Sequence, residues 1–205
     1  MIRVLVADDH KILRDGLKRI LAATTDVSVA AEAASGDEAL KLVKSADYDV
    51  AIVDLSMPGL SGIDLIKRLK AEKPKLRVLV LSMHGERQYA ARALKAGASG
   101  YLNKDSAAEQ LVSALRKIAG GGVHISEAAA AGLLSSEKPV HESLSNREFE
   151  VLRLLVGGEG PTEIAERLHL SVKTVSTHKT RILQKLSLGS TAELVRYALE
   201  NKLVE

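Results

Sequence analysis

The sequence predicts an α/β domain, a doubly wound five-stranded parallel sheet, followed by a small all-α four-helix domain. Three observations predict it. Short apolar runs alternate with helical patterns over the first 119 residues, the triplet Gly120, Gly121 and Gly122 ends that alternation, and beyond it the pattern is purely helical. Near-continuous apolar runs of this length suit strands covered on both faces, as in parallel sheets. Five strand–helix repeats then place crossovers on both sides of the sheet.

The expected strands are Val4–Ala7, Val27–Ala31, Val50–Val53, Val78–Leu81 and Gly100–Leu102. Capping signals open two of the intervening helices, Ser35 with Glu38 and Ser106 with Glu109. After the glycines, the alanine-rich stretch Ala128–Leu134 suits a short linker helix, and the polar Ser135–Ser143 reads as a flexible joint. Four helices follow. Ser145 with Glu148 caps the first, to about Val156. Pro161 suits the first position of the second, to about Leu168. Ser171 caps the third, to about Leu186, and Ser190 with Glu193 caps the fourth, over Ala192–Asn201. The expected division is 1–120, a linker over 121–143, and 144–205.

Apolar residues make up 46% and charged residues 27% of the 205-residue chain, ordinary values for a globular protein. No apolar run approaches the roughly 20 residues of a membrane helix. Met1, Ile2 and Arg3 lead straight into an apolar strand, unlike a leader peptide, so a cytoplasmic location and no membrane partner are expected. The absence of cysteine excludes disulfides, thiolate metal sites and cysteine nucleophiles. Net charge is +3, but its distribution says more. Glu142 to Glu205 holds nine Lys/Arg against nine Asp/Glu, yet Arg167 to Ala192 holds Arg167, Lys173, Lys179, Arg181 and Lys185 with no acid. One basic face on a balanced domain suits duplex DNA. The five aromatic residues, Tyr48, Tyr89, Tyr101, Phe149 and Tyr197, are too few for a single-strand binder built on stacking.

Asp8 and Asp9 close the first strand and Asp54 the third. Ligands of open parallel sheets bind outside the carboxyl ends of the strands, where strand order reverses. In the order 2-1-3-4-5 that point lies between strands one and three, which brings the three carboxylates together. Such carboxylates repel one another unless a cation neutralises them. Magnesium, which takes one or two carboxylates together with phosphate oxygens and water, suits the place. A carboxylate beside it can act as a nucleophile toward a phosphoryl group.

Val6-Ala7-Asp8-Asp9-His10, Asp54-Leu55-Ser56-Met57-Pro58-Gly59, Leu81-Ser82-Met83 and Gly97-Ala98-Ser99-Gly100-Tyr101-Leu102-Asn103-Lys104 occur in the order and at the spacing of the receiver signature. The sequence therefore resembles two-component response regulators of the NarL/FixJ type. The resemblance implies that Asp54 accepts a phosphoryl group from a sensor histidine kinase. It further implies that Asp8, Asp9, Asp54 and the Ser56 carbonyl hold magnesium. Ser82 would bond one phosphoryl oxygen and Lys104 would neutralise another. Phosphorylation would draw Ser82 toward Asp54 and turn Tyr101 inward. Two departures from the pattern stand out: Asp105 follows the lysine where many receivers have proline, and Ser82 replaces a frequent threonine.

The segments Leu144–Leu152, Glu163–Leu168 and Ser171–Lys179, with Ile182, Lys185 and Leu186, resemble the LuxR-type helix-turn-helix. At 100° per residue, Val175, Ile182 and Leu186 share one face of the third helix, while Lys173, Thr177, Thr180 and Gln184 lie opposite. A helix of this kind can lie in the major groove. The expected DNA-binding residues are Lys173, Thr174, Ser176, Thr177, His178, Lys179, Thr180 and Arg181. Lys173, Lys179 and Arg181 would fix phosphates, and Ser176, Thr177 and Thr180 match the family's base-reading positions. Lys179 leans toward the apolar face and would have to snorkel. His178 reads equally as a packed histidine or as a phosphate donor.

The resemblance implies a transcriptional regulator acting as a homodimer on double-stranded promoter DNA, with no enzymatic activity beyond phosphoryl capture and dephosphorylation at its own Asp54. Two other classes fit less well. A phosphohydrolase using Asp54 would want a second acid two residues on, where Ser56 stands, and an inserted cap that the chain has no room for. A flavin binder would want a neutral or glycine-rich turn after the first strand, where the acids lie.

Overall fold

The computed structural model describes residues 1–57, 60, 62–83, 86–126, 140–201 and 203. The chain divides into two compact units, Met1–Leu134 and Ser135–Glu205.

The first unit runs β1 (Ile2–Ala7), α1 (Lys11–Ala22), β2 (Val27–Ala33), α2 (Gly36–Ser45), β3 (Val50–Asp54), α3 (Gly62–Glu72), β4 (Arg77–Ser82), α4 (Glu86–Lys95), β5 (Gly100–Asn103) and α5 (Ala107–Ala119). Its five strands form one sheet of order β2-β1-β3-β4-β5, parallel throughout. The central strands are apolar on both faces because helices cover both. Leu17 and Leu21 of α1 join Leu111, Leu115 and Ile118 of α5 against one side of the sheet. Ala39, Val43, Ile63, Leu65, Ile66, Leu69, Ala90 and Ala93, from α2, α3 and α4, are buried as well. β3, β4 and β5 each run one residue past their apolar runs, to Asp54, Ser82 and Asn103. Asp54 pairs with Leu81 and Ser82 with Asn103, so polar residues ride on the last rungs of the ladder.

Ser35 caps α2 as expected, its side chain accepting from the Glu38 amide. Ser106 does not cap α5. A 3₁₀ turn over Lys104–Ser106 precedes that helix, Ser106 already has helical dihedrals, and Asn103 accepts the Asp105 amide instead. Past α5 the chain turns back on the sheet. The Tyr101 amide donates to the His124 carbonyl and the His124 amide to the Ser99 carbonyl, which makes a parallel bridge to Gly100. The expected linker helix Ala128–Leu134 lies outside the described residues, as do 135–139 of the expected joint. Val140–Ser143 forms a 3₁₀ turn.

The second unit comprises α6 (Asn146–Val156), α7 (Pro161–Arg167), α8 (Val172–Leu186) and α9 (Thr191–Glu200). The capping box of Ser145 and Glu148 is complete, Pro161 occupies the first turn of α7, and Ser171 and Ser190 cap α8 and α9. Phe149, Val151, Leu152, Ile164, Val175, Ile182, Leu194 and Ala198 make up its buried interior. No helix among the described residues is long and apolar enough to cross a membrane.

Candidate functional site

At the carboxyl ends of β1 and β3 the structure brings Asp8, Asp9 and Asp54 together, the place where strand order reverses. Asp8 and Asp54 are each 1% exposed, whereas Asp9 faces solvent. Lys104, just after β5, reaches between the two buried carboxylates, its Nζ 2.8 Å from Asp8 Oδ2 and 2.9 Å from Asp54 Oδ2. The Ser56 amide donates to Asp54 Oδ1 at 3.3 Å, and the His10 amide to Asp8 Oδ1 at 2.8 Å. Ser82, the last residue of β4, is fully buried. Tyr101, on β5, is also buried.

Burial pushes the Asp54 carboxyl above its ordinary range, more strongly than Lys104 pulls it down, and neighbouring Asp8 adds to the rise. At Lys104 burial acts downward, but the Asp54 and Asp8 charges outweigh it and hold the ammonium above its usual value. An ion pair alone would depress its carboxylate, so at Asp54 desolvation wins. The result is a buried carboxylate more basic than an ordinary aspartate, beside a cation that stays charged.

Two neighbours carry no role in the sequence reading. Arg14 donates to the Asp8 carbonyl at 2.5 Å and sits 3.4 Å from Glu32, which ties the start of α1 to β2. The His10 ring lies against both Asp8 and Asp9. His10 follows the acid pair directly, which was a usable signal. Arg14 is one turn further along α1 and visible only once the helix is placed.

On α8, Val175, Ile182 and Leu186 are buried, as the wheel requires. Lys173, Ser176, Thr177, Thr180 and Arg181 are exposed, and Lys179 is half-buried on the side toward which it was expected to lean. Thr174 is half-buried and its hydroxyl lies 2.7 Å from the capping Ser171 hydroxyl. Ser176, Thr177 and Thr180 each donate to the carbonyl four residues back, Val172, Lys173 and Ser176 respectively. Burial holds the half-buried His178 imidazole below its ordinary range, and its Nδ1 has no hydrogen-bond partner among the described residues. Lys185, part of the acid-free stretch, turns inward to the buried Glu148 at 2.6 Å. The basic face is therefore Lys173, Lys179 and Arg181.

An acidic, lysine-bridged pocket at the switch point of such a sheet, in a chain that also carries a helix-turn-helix unit, defines a response regulator. Comparison with known proteins agrees. Residues 4–116 match the response regulator receiver domain, and residues 142–198 match the bacterial regulatory proteins of the luxR family. The oxygen regulatory protein NreC of Staphylococcus epidermidis is 39% identical, covering 99% of each chain. The transcriptional regulatory protein MctR of Rhizobium johnstonii is 37% identical, covering 99% of this chain and 95% of its own. The RcsB response regulator of Salmonella typhimurium has the same fold, with TM-score 0.64 and 32% identity over 96% of this chain and 98% of that one. An RcsB–DNA complex matches with TM-score 0.61 and 32% identity over 96% of each chain. The chain belongs to the response-regulator family: it is a DNA-binding regulator of transcription switched through its receiver domain.

Proposed function

We propose that residues 1–120 capture a phosphoryl group on Asp54 from a sensor histidine kinase, that 121–143 connect, and that 144–205 bind promoter DNA as a homodimer in the cytoplasm. The observation that carries this reading is the pair of buried carboxylates, Asp8 and Asp54, held 2.8 and 2.9 Å from one ammonium. One Asp54 oxygen attacks phosphorus as the bond from phosphorus to the donor breaks. Lys104 then has a dianion to neutralise, and Ser82 ends the neighbouring strand β4. The donor set is all oxygen and mostly anionic, which fits magnesium: Asp8, Asp9, Asp54 and the Ser56 carbonyl would hold it. Bound there, it would neutralise the charge that gathers in phosphoryl transfer. Asp54 itself undergoes that chemistry and its reversal by water; the chain turns over no other substrate.

Footprinting on the promoter regions flanking the gene, with and without acetyl phosphate and magnesium, tests the whole. Protection should strengthen only when both are present, over half-sites about 10 bp apart centre to centre or a multiple of that. Equal protection in every condition would separate DNA binding from the receiver.

On α8, Lys173, Lys179 and Arg181 would contact phosphates, with Ser176, Thr177 and Thr180 at base edges and Thr174 and His178 supporting them. Loss of a phosphate contact in Lys179→Ala should lower the slope of log affinity against log salt by about 0.9 and leave sequence preference intact. Thr180→Ala should shift the preferred sequence while keeping the slope. The reverse pattern would mean that α8 presents a different face to the groove. On α9, Leu194 and Ala198 are spent on the unit's own core, so Val195 and the exposed Leu199 are the proposed dimer contact.

A further inference from the structure

Among the exposed residues of α8, Val172 is the one large apolar side chain; it opens the helix and is 44% exposed. In the second unit its counterpart among the described residues is Leu199. Scattered apolar residues on a surface need no explanation. The place of this one does. Val172, Ser176 and Thr180 follow one another at intervals of four, all exposed, and form a stripe about 80° wide along α8. On the same wheel Lys179 borders the stripe on one side and Lys173 on the other.

The hydrogen bonds along the stripe decide what it can offer. The Ser176 hydroxyl donates to the Val172 carbonyl at 3.0 Å, and the Thr180 hydroxyl to the Ser176 carbonyl at 3.1 Å. Both hydroxyl protons are thus held by the helix, which leaves the oxygens as acceptors. Thr180 keeps its Cγ2 methyl, and Val172 has methyls alone. A stripe of methyls and acceptors is poorly matched to guanine, whose major-groove edge presents the acceptors N7 and O6. It suits thymine, whose 5-methyl takes apolar contact, paired with adenine, whose amino group an oxygen can accept. The N-terminal residues of a recognition helix are also those that meet base edges.

We infer that α8 reads thymine through its 5-methyl group, with Val172 as the specificity-determining residue in the first turn. The inference rests on the proposed seat of α8 in the major groove, and it adds a residue and a class of base. Val172 would bury its exposed methyls against that of thymine, while Lys173 and Lys179 on either side hold phosphates.

Duplexes selected from a random pool by the full chain, treated with acetyl phosphate and magnesium, supply the probe. Each thymine of the selected half-site is then replaced in turn by uracil, which pairs identically and lacks only the 5-methyl. Wild type should lose about fourfold in affinity at one of these positions, as expected for one methyl left unburied. Val172→Ala should bind the thymine duplex about fourfold or more weakly and be indifferent to uracil at that same position. Its salt slope should stay unchanged, because no phosphate contact is lost. Wild type indifferent to uracil at every thymine would overturn the inference, as would losses that simply multiply when the variant meets the uracil duplex. A selected site without thymine would do the same while leaving α8 a reader of DNA. A pool that yields no preferred duplex would overturn the proposed DNA recognition itself, and this inference with it.

Discussion

Replacing Asp54 with asparagine is expected to abolish phosphoryl uptake from acetyl phosphate in the presence of magnesium, where the unaltered chain gains one phosphoryl group per molecule. The amide is nearly the same size and shape as the carboxyl, so the end of β3 keeps its packing and the Ser56 amide keeps an acceptor. Two properties vanish with the charge. The amide oxygen is a far poorer nucleophile, and Lys104 is left with Asp8 as its single anionic partner of the buried pair. Asp8 sits behind the same lysine and Asp9 faces solvent, so neither stands where Asp54 stands at the end of β3. Intact-mass measurement reads the result directly. Undiminished labelling of the Asp54→Asn chain would remove Asp54 as the acceptor, and labelling of wild type at full rate without a divalent cation would remove the metal.

The largest effect on stability is expected from Phe149→Ala in the second unit. Phe149 is 1% exposed at the centre of α6, and the His141 ring stacks on it with centroids 6.4 Å apart. His141 also reaches the Tyr197 hydroxyl of α9 at 3.2 Å, so one aromatic cluster joins three elements. Truncating a buried phenylalanine to alanine costs about 3–5 kcal/mol through lost burial and the cavity left behind. A unit of this size holds roughly 4–10 kcal/mol in all. The substitution should therefore take away about half of its stability or more. Calorimetry should show the transition of the second unit moving to much lower temperature while that of the first stays in place. DNA binding should be lost above that lowered transition temperature. A shift confined to the first unit, or none, would contradict this packing.

The strands were legible because those buried on both faces announce themselves as unbroken apolar runs, and because Asp8, Asp54, Ser82 and Lys104 each mark the carboxyl end of one; their order came with the resemblance to receiver domains. The four helices of the second unit were legible from their caps: Ser145, Pro161, Ser171 and Ser190 all stand where a first turn begins. Two things escaped, one local and one at long sequence separation. Ser106 had the spacing of a cap, but the 3₁₀ turn before it had already given that task to Asn103. Lys185 looked like a free basic residue until Glu148, 37 positions earlier, was seen to hold it. Glu148 is itself buried, yet that pairing and the Ser145 hydrogen bonds outweigh desolvation and keep its carboxyl below the ordinary range. The usual pattern for helices, charged residues outward, gives no hint of such a pair.

The bridge between His124 and β5 bears on solubility. β5 ends one side of the sheet, and an edge strand offers unpaired amides and carbonyls as a template on which another chain can add. Here the same polypeptide lays its own return segment against that edge, occupying the Tyr101 amide and the Ser99 carbonyl. Gly100 fits this closeness, because a Cβ there would come within 2.9 Å of the His124 carbonyl oxygen. The sheet thus shields one flank from runaway strand addition with a few residues of its own chain.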